Sequence, residues 1–138
     1  GVQRGLIGAI IERFERRGLR IAAMKMIHVE PGLACKHYSE HEGKPFYPGL
    51  ISFITPGPVG VMVIEGNNAI AVVRATMGST NPVNAAPGTI RADFGVQVER
   101  NLVHGSDGPE SAAREIACFF SPSEIVEYSR DMERWIYA

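Results

Sequence analysis

The stretch VGVMVIEG at residues 59–66 is apolar on both alternations of a strand. Successive side chains of a strand point to opposite faces, so a segment with no polar alternation has to be covered on both. The fold must therefore be layered, with this strand between other elements. Leu6, Ile7, Ile10, Ile11 and Phe14 recur at helical spacing, Glu12, Arg13, Arg16 and Arg17 take the other face, and Gly18 stands where a C-terminal cap belongs. RIAAMKMIHV (20–29) reads as a strand that Pro31 stops. Residues 32–42 look helical, 43–49 read as a loop with two prolines and two glycines, and 50–55 as a short helix. Asn67 or Asn68 caps a helix through Met77, and Gly78 to Gly95 is a long stretch without clear periodicity, the kind of loop that is usually functional or disordered. A strand is expected at 96–104, then a helix that begins near Asp107 to Pro109 and runs through Phe120. After Pro122 come another short helix and an aromatic tail, WIYA. Three visible strands alternating with helices predict an α+β or α/β sandwich in a single domain over residues 1–138.

Composition narrows the partners. A chain of 138 residues buries roughly two-thirds of the surface it exposes when unfolded, and needs no disulfide staple. Cys35 and Cys118 are far apart, which argues against CxxC redox chemistry and a cysteine zinc site and suits a reducing compartment. The net charge of −1 and the scattered Lys and Arg offer no polybasic surface for nucleic acid, so an anionic ligand must meet a local pocket. No apolar run approaches the ~18 residues of a membrane span. The expected setting is the cytoplasm, with no membrane or specific nucleic-acid partner.

Three polar residues stand where periodicity prefers apolar ones or where a loop carries charge. Arg74 lies in NAIAVVRATMG, a helix otherwise nearly apolar, where a buried guanidinium needs an internal carboxylate or a phosphate. Glu115 falls at the edge of the face made by Ala112, Ile116 and Phe119, either as an ordinary boundary glutamate or as a half-buried carboxylate with a partner. Arg91 sits in the long loop, where solvation is the default. His104, one of four histidines, precedes Gly-Ser-Asp at a strand end and could be a satisfied structural histidine. With Ser106 and Asp107 opening a helix and Glu115 two turns along it, the imidazole can instead be oriented by a carboxylate. A nucleophilic histidine beside guanidinium groups points to phosphoryl transfer. The rival cluster is His37 and His41, at i and i+4 on one helix face as a zinc pair requires, but without the Glu of HExxH and without an evident third ligand.

GVQRGLIG, PFYPGLISFITPGPVGVMV, RATMGSTNPVNAAPGTIRADFG and above all NLVHGSDGPESAAREIACFF resemble the nucleoside diphosphate kinase family, in order along the whole chain. The resemblance implies a ferredoxin-like βαββαβ fold with a four-stranded antiparallel sheet, assembled as homo-hexamers or tetramers. It implies ping-pong transfer of a terminal phosphate from ATP or another nucleoside triphosphate to a nucleoside diphosphate through a phosphohistidine, with Mg²⁺ on the nucleotide. His104 would be the nucleophile, Glu115 its orienter, Ser106 the link between them, and Tyr38 a close neighbour. Arg74, Thr80 and Arg91 would contact phosphates, Phe46 would stack on the base, Asn101 would bond the ribose, and Leu50 and Val98 would edge the nucleotide pocket. Asp107 would approach the magnesium through water. Glu99 stands where relatives often carry a small residue. The first strand and an active-site lysine of the family are expected immediately before Gly1, so the natural protein is expected to carry roughly ten more residues there. The alternative readings are a non-catalytic ferredoxin-like module that binds nucleotide and is never phosphorylated, and a zinc hydrolase.

Overall fold

The computed structural model describes residues 1–29 and 57–138. The helices expected at 32–42 and 50–55, the intervening loop, Cys35 and the His37–His41 pair lie outside the described residues. Helix α1 (Ile7–Arg16) follows the apolar periodicity and buries Ile10 and Phe14. It ends as the sequence predicts. Gly18, at φ 100, donates to Glu15 C=O at 3.0 Å and Leu19 N–H donates to Phe14 C=O at 3.2 Å, a paired closure of the last turn that requires a left-handed residue.

Strands β1 (Arg20–His28) and β2 (Pro58–Glu65) pair antiparallel, Met24 opposite Met62 and His28 opposite Pro58, with a register shift between Ile21 and Ala23. Both lie within a residue or so of the expected limits. The double coverage that 59–66 demands is present. Ile64 packs against Ile10, Phe14, Leu19, Met77 and Ile90 on one side, while its neighbour Val63 packs against Ala22, Ala23 and Phe120 on the other. Helix α2 (Ala69–Met77) is preceded by Asn68 in the left-handed region, whose side chain makes no capping bond. Helix α3 (Ile90–Phe94) and helix α4 (Pro109–Phe119) complete the set, with 3₁₀ turns at Pro82–Asn84, Val98–Arg100, Pro122–Glu124 and Asp131–Trp135. The architecture is α+β around an antiparallel sheet.

Two expectations are corrected. Residues 96–104 form no strand: Val98–Arg100 is a 3₁₀ turn, and among the described residues the sheet has two strands. A strand exists only by sharing its backbone groups with a partner, and here the carbonyls of Asn101 and Val103 accept from the Arg91 side chain instead. The supposed final helix is likewise two short 3₁₀ turns, and the segment between them is tied to β1 and the residues just before it: Arg130 donates to Gly18 and Leu19 carbonyls at 2.8 and 3.0 Å, and Tyr128 O–H donates to Ile21 C=O at 2.6 Å.

Candidate active site

Helix α4 starts where the backbone says it should. Gly108 is its extended N-cap, Pro109 takes the first helical position, and Ser111 Oγ accepts from Gly108 N–H at 3.0 Å. That start fixes Glu115 along the helix above the loop that carries His104. Ser106 Oγ donates to Glu115 Oε2 at 2.6 Å, and His104 Nε2 lies 3.4 Å from Glu115 Oε1. The Glu115 side chain is 14% exposed and that of His104 53%, so the carboxylate is the fixed inner partner and the ring faces outward. Glu115 is the partnered, half-buried carboxylate, not a plain boundary glutamate. The carboxylate faces the Nε2 side of the ring.

The two arginines differ from expectation in opposite directions. Arg74 is exposed and not buried, because α2 lies on the surface and buries only Met77 fully; its Nη1 donates to Gly105 C=O at 3.2 Å, one residue past His104. Arg91, expected in solvent, is 6% exposed. The loop there is a helix, started by Thr89, whose Oγ1 accepts from Ala92 N–H at 3.2 Å. From α3 the Arg91 guanidinium donates to the carbonyls of Asn101 (3.2 Å), Gly78 (2.9 Å) and Val103 (2.6 Å). Burial, and then the charge of Arg74, lower its pKa. Neither guanidinium pairs with a carboxylate among the described residues. Two cations that raise one another's energy beside the histidine make a place for an anion.

Asp107 lies on the same loop. The Ser111 hydroxyl, which donates to Oδ1, and the charges of Arg74 and Arg114 hold its carboxyl below the usual range. Thus His104, Ser106, Glu115, Asp107, Arg74, Arg91 and the Asn101 backbone come together. Thr80 is exposed two residues beyond Gly78, and Val98 is 40% exposed on its turn; no described contact joins either to the histidine. Tyr38, Phe46 and Leu50 lie outside the described residues.

The sequence reading missed two features. Asp93 on α3 pairs with Arg13 at 2.8 Å, for which the Thr89 cap was the available signal. Leu102 has φ 74, and no residue type announces that. Such a conformation in a non-glycine residue costs about 1–3 kcal/mol.

A sequence model of the family described as "Nucleoside diphosphate kinase" matches residues 1–125. The chain belongs to the nucleoside diphosphate kinase family. Nucleoside diphosphate kinases from Pelotomaculum thermopropionicum and Archaeoglobus fulgidus are 56% and 58% identical to it over 137 residues, covering 99% of this chain and 92% and 91% of theirs. The solved structure of a halophilic nucleoside diphosphate kinase from Halobacterium salinarum in complex with CDP is similar with a TM-score of 0.96 and 50% identity, over 99% of this chain and 91% of that one. His104, Ser106, Glu115 and both arginines fall inside the span matched to the nucleoside diphosphate kinase family.

Proposed function

We propose that His104 is the nucleophile through which this nucleoside diphosphate kinase works. The enzyme is a phosphotransferase that moves the terminal phosphate of a nucleoside triphosphate to a nucleoside diphosphate. In the first half-reaction the Nδ1 lone pair attacks the terminal phosphorus, the bond to the bridging oxygen breaks, and the nucleoside diphosphate leaves. In the second, a β-phosphate oxygen of another diphosphate attacks the phosphohistidine and the N–P bond breaks. The observation that supports this reading most is the Ser106–Glu115–His104 chain, which presents a carboxylate to Nε2. It fixes the proton on Nε2, keeps the lone pair on Nδ1, and offsets the positive charge the ring gains on phosphorylation. The 3.4 Å separation is of the kind that tightens when substrate binds.

Arg74 and Arg91 offset charge on the phosphoryl oxygens, Arg91 with the two N–H bonds its backbone contacts leave over. Thr80 joins them on the phosphates, Phe46 stacks on the base, Asn101 bonds the ribose, Leu50 and Val98 flank the nucleotide, and Tyr38 lies near the ring. A stack reads no base edge, so purine and pyrimidine nucleotides serve alike. Among the described residues no cluster of three metal-ligating side chains exists, while one exposed carboxylate, Asp107, stays ionised. That donor set fits Mg²⁺ bound chiefly by nucleotide phosphates, with Asp107 as a water-mediated neighbour; when bound, the ion neutralises phosphate charge. We place the α+β body in the ferredoxin-like class with a four-stranded sheet, and the enzyme in the cytoplasm as a homo-hexamer. No helix among the described residues is long and apolar enough to cross a membrane.

Incubation with ATP labelled at the γ-phosphate tests the mechanism. A label labile to acid, stable to alkali, carried on Nδ1, discharged by GDP or CDP and lost in His104→Ala is the expected result. An acid-stable label, or full labelling of His104→Ala, sinks it, and a nucleotide-binding protein that never labels is the non-catalytic alternative.

A further inference from the structure

The segment that delivers His104 is bent in a way its own sequence resists. Leu102 has φ 74, and Val103 N–H donates to Asn101 C=O at 2.8 Å across it. Leu102 is thus the centre of a γ-turn with positive φ, a rare and strained arrangement for a residue with a side chain. That side chain packs against the buried core around Ile10 and Phe14, so the turn cannot relax by swinging outward. Something beyond the segment has to hold it. Arg91 reaches both sides: Nε donates to Asn101 C=O at 3.2 Å and Nη2 to Val103 C=O at 2.6 Å. The carbonyls before and after Leu102 therefore end on one planar group, which Nη1 in turn ties to Gly78 C=O at 2.9 Å.

We propose that Arg91 is a positioning residue for phosphoryl transfer, a rigid fork that holds the Leu102 turn and so aims the His104 ring. The proposal rests on the reading of His104 as nucleophile. It assigns Arg91 a task separate from phosphate contact, and the two respond differently to lysine. A phosphate accepts a lysine as a point charge. Two carbonyls on either side of a turn need donors in a fixed planar fork, which an ammonium lacks.

The test uses the full chain with Arg91→Lys, and three readouts: kcat and KM with ATP and GDP, labelling by phosphoramidate, which carries one phosphoryl group and no nucleoside, and amide hydrogen exchange at 101–104. Misaiming by about an ångström lowers a rate on the order of 10²-fold. Arg91→Lys is expected to lose roughly that factor in both kcat and phosphoramidate labelling, with KM changed less than about threefold and the Val103 amide exchanging roughly tenfold faster. A raised KM with kcat, phosphoramidate labelling and exchange kept overturns the proposal. If Arg91→Lys does not fold, Arg91→Gln, which buries no charge, carries the same readouts. Adding Leu102→Gly to Arg91→Gln supplies a residue that takes positive φ freely, and is expected to recover part of the labelling; no recovery counts against the tie. His104→Ala serves as control: label retained there removes the nucleophile reading, while the exchange at Val103 reports on the Arg91 tie independently.

Discussion

In the proposed mechanism Glu115 governs what His104 can do. Its carboxylate accepts from Ser106 at 2.6 Å on one oxygen and faces the ring on the other, so it is held from both sides. Glu115→Gln keeps the shape and removes the charge that would offset the ring if it is phosphorylated as proposed. We expect kcat to fall on the order of 10²-fold with little change in KM, measured by steady-state kinetics with two nucleotide pairs. A variant within threefold of wild type means that the carboxylate does not orient the ring. Ser106→Ala should lose less, roughly tenfold, because Glu115 remains and only its own tether is gone.

Helix α3 is five residues long, too short to persist on intrinsic propensity. It stands because neighbours grip it. Arg13 pairs with Asp93, donates to Gly88 C=O at 2.8 Å and lies over the Phe94 ring, with Arg4 donating to Phe94 C=O. The Arg13 guanidinium, and then the Gly88 N–H, hold the Asp93 carboxyl below its ordinary 3.8. A depressed carboxylate contributes stability that is fully present above the ordinary value and is lost as pH falls through the folded one. Asp93→Asn should therefore lower the melting temperature at pH 7, and the gap to wild type should close as pH falls below the ordinary 3.8 and through the lower folded value. A gap that is flat from pH 7 to pH 2 excludes the pair as its source. The start of the same loop is equally constrained: Gly78 has φ 88, and a Cβ there would lie 2.5 Å from Thr89 Oγ1. Strain and collision add, so Gly78→Ala should cost about 2–4 kcal/mol in denaturant unfolding.

At the scale of the whole molecule, exposed apolar side chains among the described residues stand on the long loop and the tail as well as on β1, where Met24 and Met26 are each 57% exposed. Val83 is 75% exposed, Val96 76% and Trp135 81%. The tail divides its loyalties: Ile136 packs against Gly18 and Tyr137 O–H accepts from Asn67 N–H at 3.3 Å, while Trp135 stays outside. The backbone at Gly95 passes close to Pro82, where a Cβ would lie 3.0 Å from Cγ, so the exposed Val96 and Val83 stand next in sequence to two segments that meet. Exposed apolar groups of this kind suit a subunit contact. Sedimentation at micromolar concentration should give a hexamer, and Val96→Asp should shift it toward smaller species while leaving the His104–Glu115 geometry intact. A stable monomer of the unaltered chain excludes the assembly.

Much of this was legible in the sequence because it follows from local rules. The apolar period of α1, the glycine that closes it, the double coverage of β2 and the Gly-Pro start of α4 need only their own residues to be read. The NLVHGSD segment likewise announced its histidine, its serine and the carboxylate two turns on. What stayed hidden depends on groups far apart in the chain. Residues 96–104 have a strand's composition, yet two of their carbonyls go to an arginine on another element. Arg91 read as solvated and Arg74 as buried, and both were reversed, since burial is decided by where α2 and α3 come to rest. Leu102 carries a left-handed φ that leucine never advertises, because the force that holds it comes from a side chain eleven positions earlier. Propensity and periodicity are properties of neighbours in sequence; the direction of a guanidinium is a property of neighbours in space.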